Sequence, residues 1–327
     1  MTHALGAPTC ATADPASASA LRVVRREQVA EDVLALTLAD PAGNRLAPWT
    51  PGSHLDLILP DGVVRQYSLC GDRWDGHRYR IAVLREPHSR GGSEWIHAEL
   101  REGDVLAHGG PRNNFPMVPA DRYAFIAGGI GITPLLPMIQ QAVRTGREWR
   151  LLYGGRRRPS MAFLDELERL GGRVDVAPQD EVGLLDVAGW LGAPDPATRV
   201  YCCGPAGLLD AAAAACAGWP PYTLRTERFV AASQDRAVDQ SFAVTLSRSG
   251  RRLEVRPGQS ILDVLATAGI GILSSCRQGT CGTCEVAVVA GTPDHRDSVL
   301  TDADRAAGDC MLVCVSRART DHISLDL

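Results

Sequence analysis

The sequence predicts three successive folds: an antiparallel β-barrel, a doubly wound parallel α/β sheet, and a small α+β module built round a metal loop. Three observations carry this. Short alternating strands, broken by Pro-Gly, Asp-Gly and Gly-Asp turns, fill residues 21–118. Strands then alternate with helices through residues 119–229. Last, "SSCRQGTCGTC", from Ser274 to Cys284, packs Cys276, Cys281 and Cys284 at C-x4-C-x2-C spacing.

Taken in order, residues 1–20 are rich in Ala, Ser, Pro and Thr without a basic start or an apolar run, which predicts a disordered tail rather than a secretory signal. "DVLALTLAD", "HLDLILP", "VVRQYSLC" and "YRIAVLRE" are the barrel strands. "YAFIA" opens the second fold, and a helix from about Thr133 to Thr145 is stopped by Gly146. There Thr133 is the expected N-cap and Pro134 the first helical residue. "EWRLLYGG", "RVDVAP", "ATRVYCCGP" and "YTLRTERF" are further strands, and "AFLDELERL" and "AGLLDAAAAACAG" further helices. The polar stretch 230–240 is expected to be a linker. In 241–327, "FAVTLSRSGRRLEV" predicts a hairpin. Ser260 with Asp263, and Thr301 with Asp304, predict two capped helices. "EVAVV" and "CMLVCVS" are expected strands, the latter final.

Composition excludes several function classes. A formal net charge of −4 gives no reason to expect nucleic acid or a membrane surface as partner. No apolar run reaches the ~18 residues of a bilayer span. All 34 basic side chains are arginine, so anion sites must use guanidinium, backbone N–H groups or hydroxyls. Ten cysteines in 327 residues are too sparse for a disulfide scaffold, and the expected compartment is the reducing cytoplasm. The eight histidines are scattered, with no C-x-H pair for a Rieske centre.

Three clustered thiols leave a four-coordinate site one ligand short. Cys310 and Cys314 are the only cysteines downstream, and on one strand they would lie about 13 Å apart at ~3.3 Å per residue. Cys314, inside the apolar "MLVCV", is favoured. The spacing is that of plant-type 2Fe–2S centres, with Gly279 and Gly282 letting the loop wrap its sulfurs. Structural zinc or a disulfide is the alternative, although zinc usually pairs its cysteines twice.

With "MLVCVSRA", the loop resembles the C-terminal ferredoxin domain of the phthalate dioxygenase reductase and vanillate demethylase reductase family. That resemblance implies a flavin-binding barrel, a ferredoxin-reductase-type nucleotide domain and a plant-type ferredoxin of β-grasp fold, in that order. It also implies Cys314 as the fourth ligand and FMN as the flavin. Arg65, Gln66, Tyr67 and Ser68 ("RQYS"), with Arg85, Arg90, Gly91, Gly92 and Ser93 ("REPHSRGGS"), resemble the family's flavin and phosphate elements. By the same likeness, "HGGPRNNFP" is a scaffold and domain-contact element, with Asn113 or Asn114 near flavin.

"FIAGGIGITP" sets Gly128, Gly129 and Gly131 after a strand, where a backbone can approach a pyrophosphate, with Thr133 and Pro134 following. It is not the G-x-G-x-x-G fingerprint, and the next strand ends in Gly154 and Arg156 to Arg158 rather than an acid. It resembles the ferredoxin-reductase nucleotide domain instead. By that likeness Cys203, Gly204 and Pro205 lie by the nicotinamide, Phe229 stacks on flavin, and Cys203, Phe229 and Ser68 serve the hydride path. NADH is the expected donor, with NADPH open through Arg156.

The resemblance implies a reductase passing electrons from NAD(P)H through FMN and a 2Fe–2S cluster to a separate terminal oxygenase of Rieske type acting on an aromatic acid or ether. The alternatives are the reductase of a haem monooxygenase and a redox-sensing cluster module.

Overall fold

The computed structural model describes residues 19–60, 62–86, 91–229, 239–274 and 276–327. The expected tail lies outside these except for Ser19 and Ala20, which already belong to the first strand. The expected linker lies outside them as far as residue 238.

Strands β1 (Ser19–Ala30), β2 (Val33–Ala39), β3 (Ser53–Ile58), β4 (Val64–Ser68), β5 (Arg78–Leu84) and β6 (Val105–Asn113) form one antiparallel sheet in the order β4-β3-β6-β1-β2-β5. A Leu69–Ile81 bridge joins its two edges and closes the barrel. Alternation explains the core: Leu34, Leu36 and Leu38 of β2 point inward to meet Leu55, Leu57, Ile81 and Val83. Each such leucine contributes roughly 1.5–3 kcal/mol of burial. Helix α1 (Gly92–Ala98) lies between β5 and β6 in the chain.

Strands β7 (Arg122–Gly128), β8 (Glu148–Gly155), β9 (Arg173–Pro178), β10 (Thr198–Cys203) and β11 (Leu224–Glu227) are parallel, in the order β11-β10-β7-β8-β9. The winding direction therefore reverses between β7 and β10, where open α/β sheets place their ligands. Both faces are covered. Tyr123, Phe125 and Ala127 of β7 enter one core with α2 (Ile132–Arg144) and α3 (Leu164–Arg169), while Ala124 and Ile126 enter another. Short helices α4 (Gln179–Val182) and α5 (Val187–Leu191) add to the expected alternation before α6 (Ala206–Ala215).

The start of α2 differs from the expectation. Gly131, not Thr133, is the N-cap, because a 3-10 turn over Gly129–Gly131 runs straight into the helix. The Thr133 hydroxyl sits inside the first turn and donates to the Ile130 carbonyl at 2.9 Å, and Pro134 is the third helical residue rather than the first.

Barrel and parallel sheet share a core: Val33, Cys70, Ala82 and Phe115 pack with Phe125, Ile132 and Tyr201. The "HGGPRNNFP" segment makes this joint. Asn113 donates to the Thr50 hydroxyl at 2.7 Å, Phe115 meets Tyr201 edge-on at 5.5 Å, and the Val118 N–H donates to the Tyr201 hydroxyl at 2.7 Å. Gly52 is required here, since a Cβ on it would lie 1.9 Å from the Phe115 carbonyl oxygen.

The chain divides into two compact units between residues 232 and 233. In the second, β12 (Phe242–Leu246) and β13 (Arg252–Val255) form the expected hairpin, followed by α7 (Ile261–Thr267), β14 (Glu285–Ala290), β15 (Pro293–Asp294), α8 (Asp302–Ala307), β16 (Cys310–Leu312), β17 (Arg317–Ala318) and β18 (His322–Leu325). The main sheet runs β13-β12-β18-β14-β16, with β12 and β18 parallel. Ser260 caps α7, and Thr301 with Asp304 forms a reciprocal capping box on α8.

The predicted final strand "CMLVCVS" is shorter than expected and is not the last. It stops at Leu312, because the N–H groups of Val315 and Ser316 both turn back to the Leu312 carbonyl, and the Leu262 N–H takes the Val313 carbonyl at 3.0 Å. The last strand is β18, in the middle of the sheet.

Candidate functional site

In the second unit, the turn just described decides which cysteine joins the loop. Antiparallel pairing sets Glu285 opposite Leu312 and Ala287 opposite Cys310. Cys284 thus lies beside the turn holding Cys314, its carbonyl accepting from the Val313 N–H at 3.2 Å. Cys310 is three residues further along, about 10 Å at strand rise. Sulfur–sulfur hydrogen bonds link Cys276 to Cys281 and to Cys314, and Cys314 to Cys284. Those bonds hold Cys276 and Cys284 below the usual thiol range and push Cys281 and Cys314 up. Cys310 stands outside this set, raised to about 11 mainly by burial.

The loop is shaped for sulfur of high electron density. The N–H groups of Gln278 and Thr280 donate to Cys276 Sγ at 3.3 and 3.4 Å. Gly279 and Gly282 have φ of 72° and 71°, and a Cβ on Gly279 would lie 2.6 Å from Val315 and 2.9 Å from the Asp297 Cα. The sulfur contacts run in the order Cys281–Cys276–Cys314–Cys284. Two sulfurs at each end suit a two-iron cluster better than one zinc.

In the first unit, the reversal point brings together motifs some 70 residues apart in sequence. A Cβ on Gly131 would lie 2.1 Å from the Cys203 carbonyl oxygen, and one on Gly128 2.6 Å from Pro205. A Cβ on Gly204 would in turn lie 3.0 Å from the Gly128 backbone. The expected nucleotide residues Gly128, Gly131, Cys203, Gly204 and Pro205 are therefore brought together at the ends of β7 and β10. Gly129 is beside them with φ of 54°. Gly154 is further along the edge, under Leu185, and Arg156 is exposed beyond it.

Sequence reading missed Glu227. Parallel register sets it opposite Cys203, and its Oε2 is 3.9 Å from Cys203 Sγ. Burial raises its carboxyl to about 8, and burial with the Glu227 charge pushes the Cys203 thiol well up. Both groups are therefore shifted toward their neutral forms. The available signal was an acid ending an apolar-flanked strand, directly before the "RF" that drew attention to Phe229. Phe229 itself is exposed, two residues past β11.

In the barrel, Arg65 lies over the start of α1: a Cβ on Gly92 would meet Arg65 Nε at 2.6 Å. Gly91 caps that helix in the left-handed region, and Ser93 is buried, its hydroxyl accepting from the Glu86 N–H. Tyr67 packs on the barrel core and Ser68 is buried at the strand end. Two expected residues point to other partners. Gln66 donates to Asp56 at 3.0 Å, which also accepts from Arg112, while Arg85 forks onto Glu94 at 2.9 and 2.7 Å. Arg90 lies outside the described residues.

Residues 244–319 match the family model of the 2Fe-2S iron-sulfur cluster binding domain, and residues 125–177 that of the oxidoreductase NAD-binding domain. Phthalate dioxygenase reductase of Burkholderia cepacia is 39% identical over 94% of this chain and 97% of its own length. The chain belongs to the phthalate dioxygenase reductase family. Phenoxybenzoate dioxygenase subunit beta of Ectopseudomonas oleovorans is 47% identical over 91% of this chain and 94% of its own. A solved phthalate dioxygenase reductase, described as a modular structure for electron transfer from pyridine nucleotides to [2Fe-2S], aligns with TM-score 0.73 and 38% identity, over 95% of this chain and 98% of that one. An intact type IV self-sufficient cytochrome P450 monooxygenase aligns with TM-score 0.86 and 43% identity over 99% of this chain, which spans 43% of that protein's length. Membership in the reductase family makes the chain an NAD(P)H-dependent oxidoreductase with a 2Fe–2S domain.

Proposed function

We propose that the chain is the reductase component of an oxygenase system, taking hydride from NADH and delivering single electrons through FMN and a 2Fe–2S cluster to a separate Rieske-type oxygenase. The observation that carries this reading is one chain holding both a close glycine packing at a sheet reversal and four thiols linked by sulfur contacts. When bound, FMN exchanges a hydride pair for single electrons and the cluster carries one at a time.

The chain's residues do the positioning. The glycines at 128, 129 and 131 leave backbone N–H groups open to a pyrophosphate. Cys203 and Glu227, both shifted toward their neutral forms, lower the charge there, which suits a nicotinamide ring that changes charge on giving up hydride. Arg65 above the start of α1 is the cation for a flavin monophosphate, and Tyr67 and Phe229 are the flavin's aromatic neighbours. Cys276, Cys281, Cys284 and Cys314 hold the irons, with the Gln278 and Thr280 N–H groups damping charge on Cys276. Functionally the chain divides at 21–118, 119–229 and 241–327, with 230–240 as linker. Nine described cysteines, all free, support the cytoplasm as its compartment.

The test is anaerobic mixing with NADH in a stopped-flow cell. Flavin and cluster absorbance should bleach within seconds and cytochrome c should then be reduced. Bleaching slower than minutes would mean a sensing module instead. The P450 likeness favours a second partner, a haem monooxygenase. Product formation with a candidate of each type separates the two.

A further inference from the structure

Arg156, Arg157 and Arg158 follow the end of β8, the second strand of the wound sheet and the immediate neighbour of β7. In sheets that bind a dinucleotide at the first strand–helix turn, this position reads the adenosine ribose. A carboxylate there suits a free 2′-hydroxyl, and a cation suits a 2′-phosphate. By composition the triplet favours phosphate, but two of its three side chains already face carboxylates. Arg157 Nη2 is 2.7 Å from Glu31 Oε2, and the Glu31 N–H donates to the Pro159 carbonyl at 2.8 Å. The β1–β2 turn thus grips the arginine segment twice. Arg158 Nε is 3.6 Å from Glu181 Oε1 on α4, and the neighbouring Asp180 N–H donates to the Arg156 carbonyl at 3.2 Å. Of the three, only Arg156 has no carboxylate partner among the described residues.

We propose that Glu31 and Glu181 select NADH over NADPH by holding Arg157 and Arg158 in ion pairs, which leaves one guanidinium at the ribose end of the site. This rests on reading the β7–β10 reversal as the nucleotide site. A 2′-phosphate brings about −1.5 to −2 charges and needs more than one cation. Recruiting Arg157 or Arg158 would break its pair and set the phosphate beside Glu31 or Glu181, with Asp180 close by. NADH brings hydroxyls only and meets no such conflict. The pairs are half exposed and contribute little stability, so their effect is on the choice between ligands.

The experiment compares kcat/KM for NADH and NADPH in the full holo-chain. Wild type should favour NADH at least tenfold, with the difference in KM. Glu181→Gln and Glu31→Gln should each move the ratio about tenfold toward NADPH, the worth of one charge-assisted hydrogen bond gained. The double variant should also bind 2′,5′-ADP more tightly by calorimetry, and adding Arg156→Ala should remove that gain. A wild type taking both nucleotides equally, or ratios moving less than twofold in both single variants, would overturn the proposal. A wild type that oxidises neither nucleotide would overturn the nucleotide reading itself, and the proposal with it.

Discussion

The cysteine loop and the glycine cluster both depend on close backbone approach, yet they are assembled differently. Three of the four loop thiols lie within nine residues, and the loop is bent by glycines at positive φ inside the same stretch. The glycine cluster exists only because the end of β7 lies beside the end of β10, some 70 residues on, with Glu227 of β11 on the other side of β10. One site is mostly a property of a segment and the other a property of a sheet. A segmental site announces itself by spacing, whereas a sheet site is invisible until strand order is known.

The sharpest way to break this contrast is at the one loop ligand that is not local. Cys314→Ser should drop bound iron from about two atoms per chain to well under one and abolish the spin signal of the reduced centre. Cys310→Ser should change neither. Retained iron in the first variant, by colorimetric assay, would show that the β16 turn does not complete the site.

Next come paired glycine substitutions, which should dissociate the two sites. Gly131→Ala pushes a Cβ to 2.1 Å from the Cys203 carbonyl oxygen. It should slow flavin reduction by NADH on the order of 100-fold, at a cost of about 1–3 kcal/mol in stability, with iron content unchanged. Gly279→Ala should do the reverse, losing iron while NADH still bleaches the flavin. Equal damage to both signals in either variant would contradict the separation.

A smaller effect tests the polar pair at the ends of β10 and β11. Because Glu227 is raised to about 8, the fold retains a proton that the unfolded chain releases near pH 4.5. Its contribution to stability is full below about pH 4.5 and falls as pH rises toward 8, by roughly 3–5 kcal/mol at most. Urea midpoints across pH 5–8 should flatten in Glu227→Gln relative to wild type. A parallel pair of curves would mean that the carboxylate is ionised in the fold.

The smallest expected effect concerns the barrel. Arg65→Ala should weaken FMN binding about tenfold or more, while Arg85→Ala should change it less than threefold, since Arg85 is engaged by Glu94. Fluorescence titration of the apoprotein with FMN distinguishes them.

Much of this was legible from residue patterns. The barrel, the strand–helix alternation, the hairpin and the Thr301 cap depend on periodicity or on contacts three residues apart, and all four are written along the chain. The misses share one cause. Thr133 looked like a cap because Ser and Thr usually are, but the preceding 3-10 turn moved the helix start to Gly131. "CMLVCVS" looked like one strand, but α7 captured its backbone and turned it at Val313. Glu227 went unnoticed because its neighbour Cys203 is 24 residues away.

By itself the sequence set three cysteines at ligand spacing with Cys314 favoured as the fourth, the glycine positions and the order of folds, because spacing and backbone permissiveness act over a few residues. Tertiary structure alone turned the chain at Val313 to bring Cys314 beside Cys284, set Glu227 beside Cys203, and committed Arg85, Arg157 and Arg158 to Glu94, Glu31 and Glu181. The physical reason is that a side chain's charge partner or sulfur neighbour is chosen by which backbone segments the folded chain brings within a few ångströms. Strand register and turn geometry fix that choice, and residue identity leaves it open.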